Sequence, residues 1–218
     1  MKPVLIINPN GSQKTTQDMV GITSRYLPNV MGWTNHKGPK MIVDRDQLYE
    51  AANQISEAVF PGASALIVAA FGDPGAKRLA RSMDIPVIGI AAAAAREAAL
   101  SGVSFAVVTS TPKLAPSIDK IMRAERGDTY LGCYTTEDDP LVLASNSDAL
   151  DYALIASCEI AKKAGAKRII IGGGPLGQAA IRISSQVKVP LIQPLVAACS
   201  EVSALIEHQL PHVQDVDR

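Results

Sequence analysis

Two distant stretches of the chain repeat one pattern. "LIVAAFGDPGAKRLARSMDIPVIGI" from Leu66 and "IIIGGGPLGQAAIRISSQVKVPLIQP" from Ile169 each run apolar strand, proline-containing glycine loop, helix, then Val/Ile-Pro and a second strand. Ala70 and Gly173 hold the last strand position of each copy, and Pro86 and Pro190 close them. A duplicated βαβ unit predicts two pseudo-symmetric lobes whose strand ends face one cleft. The rest of the chain keeps the same alternation. Apolar runs predict strands at Val4–Ile7, Met41–Val43, Ala65–Ala69, Val87–Ile88, Ser104–Val108, Thr129–Tyr134, Arg168–Ile171 and Leu191–Ile192. Helical spacing predicts helices at Thr15–Leu27, Gln47–Ala58, Pro74–Met83, Ala92–Ser101, Pro112–Ala124, Ser147–Ala164, Gly177–Val187 and Leu195–His208. This order predicts an α/β fold of two lobes, each a mostly parallel sheet flanked by helices. Residues 1–95 with 195–218 are expected to form lobe one, and 96–194 lobe two, with the active-site cleft between them.

Charge narrows the partners. Lys+Arg and Asp+Glu number 21 each, without a basic stripe or acidic tail, so nucleic acid is not an expected partner. Apolar runs such as Val87–Ala95 fall far short of the roughly 20 residues that span a bilayer, so no membrane partner is expected. The start "MKPVLIINPN" reads as a first strand and not as a signal peptide, and the cytoplasm is the expected compartment. Cys133, Cys158 and Cys199 carry no CxxC or CxxH spacing, so neither a disulfide framework nor a zinc site is indicated. His208 and His212 stand four apart with Pro211 breaking the helix between them, and no metal site is expected there.

In parallel sheets, ligands sit where strand ends meet helix N-termini, which selects four loops. "INPNGSQKT" offers Asn8, Asn10, Ser12 and Thr15 just before a helix, with Ser12 well placed as its N-cap. "AFGDPG" contains Phe71, Gly72 and Asp73; Asp73 before Pro74 suits a cap with proline at the first helical position. "VVTSTP" sets the hydroxyls of Thr109, Ser110 and Thr111 at a strand end, a cradle for a carboxylate or ring carbonyl. "GGGPLG" (Gly172 to Gly177) brings Gly173, Gly174, Pro175 and Leu176, and its glycines strip one wall of side chains. Its G-x-G-x-x-G spacing suggests a dinucleotide, but Ala197 and Ala198 lie where the ribose-binding acid belongs, so a nicotinamide cofactor is not expected.

Taken in order, "INPNGS", "AFGDPG…IPVIGI", "FAVVTSTP" and "IIIGGGPLG…VPLIQPLVAA" resemble the aspartate/glutamate racemase superfamily, and most closely its hydantoin racemase branch. The resemblance runs from Ile6 to about Ala198 and implies one active site between two lobes, with no cofactor and with self-association as a homodimer or homotetramer. In that family two cysteines face each other across the substrate, one removing the α-proton and the other delivering a proton to the opposite face. This chain has Ala70 and Gly173 at those two positions, and Ala92 where hydantoin racemases carry a glutamate. An alanine and a glycine exchange no protons, so two-cysteine racemisation is excluded.

The expected activity is therefore divergent. A small carboxylate or cyclic ureide would bind to Asn8, Asn10, Ser12, Phe71, Gly72, Thr109, Ser110, Thr111, Gly173, Gly174, Pro175 and Leu176. Turnover would proceed by hydrolysis, decarboxylation or a lyase step, since arylmalonate decarboxylases and maleate isomerases belong to the same superfamily. Asp73, Tyr134 and Glu97 are the candidate catalytic groups, with His36 a further acid/base candidate and Cys133 the thiol nearest a strand end. Asp73 could place a water in the space beside Ala70. The alternative is a catalytically inactive metabolite-binding protein of the same fold.

Overall fold

Continuous apolar runs become the central strands, since a parallel sheet covered by helices on both faces leaves no side wet. The structure, a computed structural model, describes residues 2–100 and 102–209. The first sheet comprises β1 (Val4–Asn8), β2 (Val30–Thr34), β3 (Ala65–Val68) and β4 (Val87–Gly89), with α1 (Gln13–Thr23), α2 (Arg45–Ser56) and α3 (Ala76–Ser82) in its crossovers. Helix α4 (Ile90–Ala99) leaves the last strand without a loop. The second sheet comprises β5 (Phe105–Thr109), β6 (Tyr130–Thr135), β7 (Arg168–Ile171) and β8 (Leu191–Ile192), linked by α5 (Ala115–Arg126), α6 (Pro140–Ala144), α7 (Ser147–Lys163) and α8 (Gly177–Ile183). Helix α9 (Pro194–Gln209) packs back on α4 and α1. Strand order is β2-β1-β3-β4 in one sheet and β6-β5-β7-β8 in the other, all neighbours parallel. The second order is the first advanced by four strands, so the internal repeat in the sequence is also a repeat of topology.

One strand differs from expectation. Met41–Val43 is a loop, and the sheet's edge strand is Val30–Thr34, paired with β1 from Val4↔Val30 to Asn8↔Thr34. The apolar run at 41–43 fills space without joining a ladder. Ile42 N–H donates to Asn10 Oδ1 at 3.2 Å and Val43 N–H to Gln47 Oε1 at 2.9 Å, so side chains satisfy that backbone. The true strand is hidden in sequence because Gly32 interrupts it and Met31 faces solvent.

A second difference concerns Asp73. Helix α3 starts at Ala76 behind Gly75, which is left-handed at φ +71°, and Asp73 does not cap it. Instead both Asp73 carboxylate oxygens accept backbone N–H groups of α4, from Ala91 and Ala92, at 2.8 Å each. Helix α4 needs this help because its own N-cap is Gly89, which has no side chain. A Cβ on Gly89 would run into the Asp73 carboxylate, so the borrowed cap requires glycine there. Asp73 itself sits at φ +47°, a conformation that Asp tolerates better than most residues.

Helix α4 reads "IAAAAAREAA" and lies between the two sheets, touching α9, α5, β7 and β8. Ile90, Ala91, Ala93, Ala94, Ala95 and Ala98 are all buried, and alanine combines the highest helix propensity with close approach on several sides. One core cluster runs through this helix from Ile6 and Ile67 in the first sheet to Phe105, Val107 and Ile170 in the second. Its charged end is clamped. Arg96 Nε and Nη2 donate to both oxygens of Glu201 on α9, and Nη1 donates to Glu125 on α5, each at 2.7 Å.

Arg96→Lys keeps the charge but loses the planar fork. It is expected to lower stability by about 1–2 kcal/mol in denaturant unfolding, an effect that shrinks as salt is raised.

Candidate ligand-binding site

The carboxyl ends of the central strands meet at a small cavity of about 40 Å³. Asn10, Met41, Ile42, Leu48, Ala70 and Phe71 line it from the first lobe. Thr109, Ser110, Thr111 and Leu114 and the loop Gly172–Leu176 line it from the second. A wider cleft of about 620 Å³ adjoins it, and Met41, Ser110, Pro175 and Leu176 line both. These four residues form the wall between the inner space and the mouth.

The polar groups fall into two kinds, those spent on the fold and those left over. Thr109 Oγ1 donates to Gly172 O at 2.7 Å and lies 3.1 Å from Thr111 Oγ1, which ties the end of β5 to the loop after β7. Asn10 Oδ1 accepts from Ile42 N–H and ties the loop Met41–Val43 to the end of β1. Among the described residues, the Asn10 amide nitrogen and the Ser110 hydroxyl have no hydrogen-bond partner. The backbone N–H groups of the lining residues Phe71, Gly173 and Gly174 likewise have no acceptor there. Such donors on both walls suit a carbonyl or carboxylate oxygen.

Among the described residues, no ionisable side chain lines the inner cavity. Ala70 and Gly173 are both on its surface, one from each lobe. The room beside Gly173 is already taken. A Cβ built there would lie 2.8 Å from Leu176 Cγ and 3.0 Å from Leu176 Cδ1, inside the closest normal contact. Gly174 makes the neighbouring approach, since a Cβ there would strike the Ala69 carbonyl and Met19 Sδ. The loop after β7 therefore lies directly against the end of β3 and closes the cavity to its small size.

Of the residues singled out in the sequence, Asn10, Ala70, Phe71, Thr109, Ser110, Thr111, Gly173, Gly174, Pro175 and Leu176 meet at this cavity. Asn8 is fully buried beneath it, donating to Ser12 O and Thr16 Oγ1 and accepting from Asn10 N–H. Ser12 caps α1 and faces the outer cleft, and Gly72 faces a separate groove beside α3. Glu97 lies on α4, half-buried, and its carboxyl is raised by that burial. Tyr134 on β6 packs on the second lobe's core, and His36 is exposed just past β2. Asp73 sits under α4 and lines the separate groove, so none of the four acid/base candidates lines the cavity. Cys133, Cys158 and Cys199 also lie elsewhere, and burial pushes each thiol up to about 12, leaving no thiolate at neutral pH. His212 and the side chain of His208 lie outside the described residues. Met41, Ile42, Leu48 and Leu114 also line the cavity; Met41 and Ile42 belong to a short apolar run in the sequence, whereas Leu48 and Leu114 are single leucines that no local pattern marks.

With the fold and this cavity in view, the comparisons give the class. The chain belongs to the Asp/Glu/hydantoin racemase family, whose model matches residues 4–202. It is 25% identical to hydantoin racemase of Paenarthrobacter aurescens over 214 residues, covering 93% of this chain and 90% of the relative. Among solved structures it resembles allantoin racemase from Pseudomonas fluorescens with a TM-score of 0.88 at 23% identity, covering 95% of this chain and 92% of that one. It also shares its fold with arylmalonate decarboxylase, at a TM-score of 0.59 and 14% identity over 95% of this chain and 94% of that one.

Two expectations follow from the geometry. Gly173→Cys forces its side chain into Leu176 and is expected to cost about 1–3 kcal/mol in thermal or denaturant unfolding, with part of the loss recovered in Gly173→Cys/Leu176→Ala. The second concerns pH. Burial raises Asp73 from the ordinary 3.8 to about 7, against the opposing pull of the Ala91 and Ala92 N–H groups and Arg96. Below the unfolded value both states hold the proton. Between about 4 and about 7 only the folded state does, so stability falls as pH rises through that window. Equilibrium unfolding at stepped pH should show that slope, and Asp73→Asn should reduce it, leaving the part that the raised Glu97 carboxyl contributes in the same direction.

Proposed function

We propose that this protein binds a small carboxylate or cyclic ureide between its lobes and performs no acid–base chemistry upon it. The observation that carries this reading is the inner cavity's lining, which among the described residues contains hydroxyl, amide and apolar groups but no ionisable side chain. Carbon-acid chemistry needs a base of suitable pKa within reach of the proton, and a lyase or hydrolytic step needs a general acid or an activated water. The donors at Asn10, Ser110 and the loop glycines instead suit recognition of oxygen atoms. A carboxylate buried here would find N–H and O–H groups and no cation, so hydrogen bonds must offset its desolvation. The neutral ring of a ureide makes no such demand.

The cavity of about 40 Å³ has room for little beyond a water. Binding a ring therefore requires Met41 and Leu176 to swing toward the outer cleft. The competing reading is turnover by hydrolysis, decarboxylation or a lyase step. It draws on Ser110, whose hydroxyl is free of protein partners among the described residues and whose side lines both spaces. No cofactor is called for in either reading. Self-association as a dimer or tetramer and a cytoplasmic location belong to this proposal as well.

Proton NMR in D2O with a panel of 5-substituted hydantoins, dihydropyrimidines, amino-dicarboxylates and malonates separates the readings. Expected are saturable line-broadening of at least one compound, loss of its α-proton signal no faster than in a protein-free sample, and no new species. Ser110→Ala should weaken that binding about threefold to tenfold, the worth of one hydrogen bond. Exchange of the α-proton faster than in a protein-free sample, or a ring-opened or decarboxylated product absent from that sample, would sink the proposal.

A further inference from the structure

The loop after β3 faces two ways. Ala70 and Phe71 line the inner cavity, while the next two residues, Gly72 and Asp73, line a second groove of about 620 Å³ between α3 and α5. This size is that of a small-ligand pocket, for which about 300–1,000 Å³ is usual. Its walls are cationic. Lys77, Arg78 and Arg81 come from α3, Lys120 from α5 and Arg96 from α4.

The two carboxylates in the groove are already engaged. Asp73 accepts both of its hydrogen bonds from α4, and Glu125 pairs with Arg96, which Glu201 also holds. Among the described residues, Lys77, Arg81 and Lys120 have neither an ion pair nor a hydrogen bond. Arg78 donates only to the uncharged Asn53 Oδ1, at 3.1 Å. Four uncompensated cations thus line one concavity of a chain whose acids and bases balance overall. A concavity with an excess of one sign of charge raises the local concentration of oppositely charged ions, an effect that salt screens. The floor between these cations is made of small alanines and glycines with Val87 and Ile121, which leaves the charged ends of α3 and Lys120 to engage a ligand's polar groups.

We propose that this groove is a second binding site, for a small polyanion carrying two or more phosphate or carboxylate groups. The ligand's oxyanions sit between the α3 cations and Lys120. Because α3 packs with the first sheet and α5 with the second, an occupant bridges the lobes at a point away from the inner cavity. The site does not depend on what the inner cavity binds or does.

The test is calorimetric titration of the full-length protein with inorganic pyrophosphate and, separately, citrate, at low and high salt. Saturable binding is expected with a Kd below about 1 mM, weaker at high salt. Preference for pyrophosphate would mark the site as a phosphate site, and preference for citrate as a polycarboxylate site; either supports the proposal. Lys77→Ala/Arg81→Ala and Lys120→Ala should each weaken binding by about fivefold or more. Lys188→Ala, an exposed cation outside the groove, should leave it unchanged. All these side chains are exposed, so folding survives their removal. Absence of saturation up to about 10 mM overturns the proposal. So does undiminished binding to the α3 and α5 variants, or loss confined to Lys40→Ala, which would place the anion in the outer cleft.

Discussion

The Asp73 carboxylate reaches from the loop after β3 to the first N–H groups of α4, and much of the molecule is arranged around what it holds. Helix α4 leaves its strand without a loop, so no residue of its own is free to cap it, and glycine at the junction is the condition for an outside carboxylate to enter. Once capped, a helix of alanines can lie between two sheets without pushing them apart. The two lobes then share a continuous core, and Arg96 fastens the far end of the same helix to one helix from each lobe. The capping contact leaves a half-buried acid whose carboxyl is pushed upward by desolvation, which ties the packing of α4 to pH.

Much of this was legible in the sequence because parallel sheets write themselves plainly. Buried on both faces, Ala65–Val68, Phe105–Thr109 and Arg168–Ile171 read as unbroken apolar runs, and the repeated loop and proline marked the duplication. Edge strands follow a different rule, with one side wet and Gly32 in the middle, so Val30–Thr34 did not stand out while the apolar loop at Met41–Val43 did. Asp73 misled for a similar reason. An Asp-Pro pair ahead of a helix is a good local cap, and only the tertiary structure offers it the free N–H groups of another helix.

The cavity was legible on its polar side and opaque on its apolar one. Hydroxyl and glycine loops at strand ends announce themselves, and ten of the residues marked in sequence line the space. That Met41, Ile42 and Leu48 fold over it depends on Asn10 bonding to a backbone 32 residues away, which no local pattern records. Leu176 is the more telling case. In the sequence it is one apolar residue in a glycine loop, whereas in the fold it occupies the volume beside Gly173. Glycine at 173 therefore leaves no hole, because Leu176 fills the volume that a side chain there would need.

Residues 70 to 73 have a bearing on how such a chain can diverge. Two of the four border the inner cavity, two border the cationic groove, and the last also carries the helix cap. A change that suits one opening must also be accepted by the other and by the cap between them. A substitution between Ala70 and Asp73 therefore alters two spaces and a helix terminus together, whereas one at Met41 or Leu176 leaves the groove and the cap untouched.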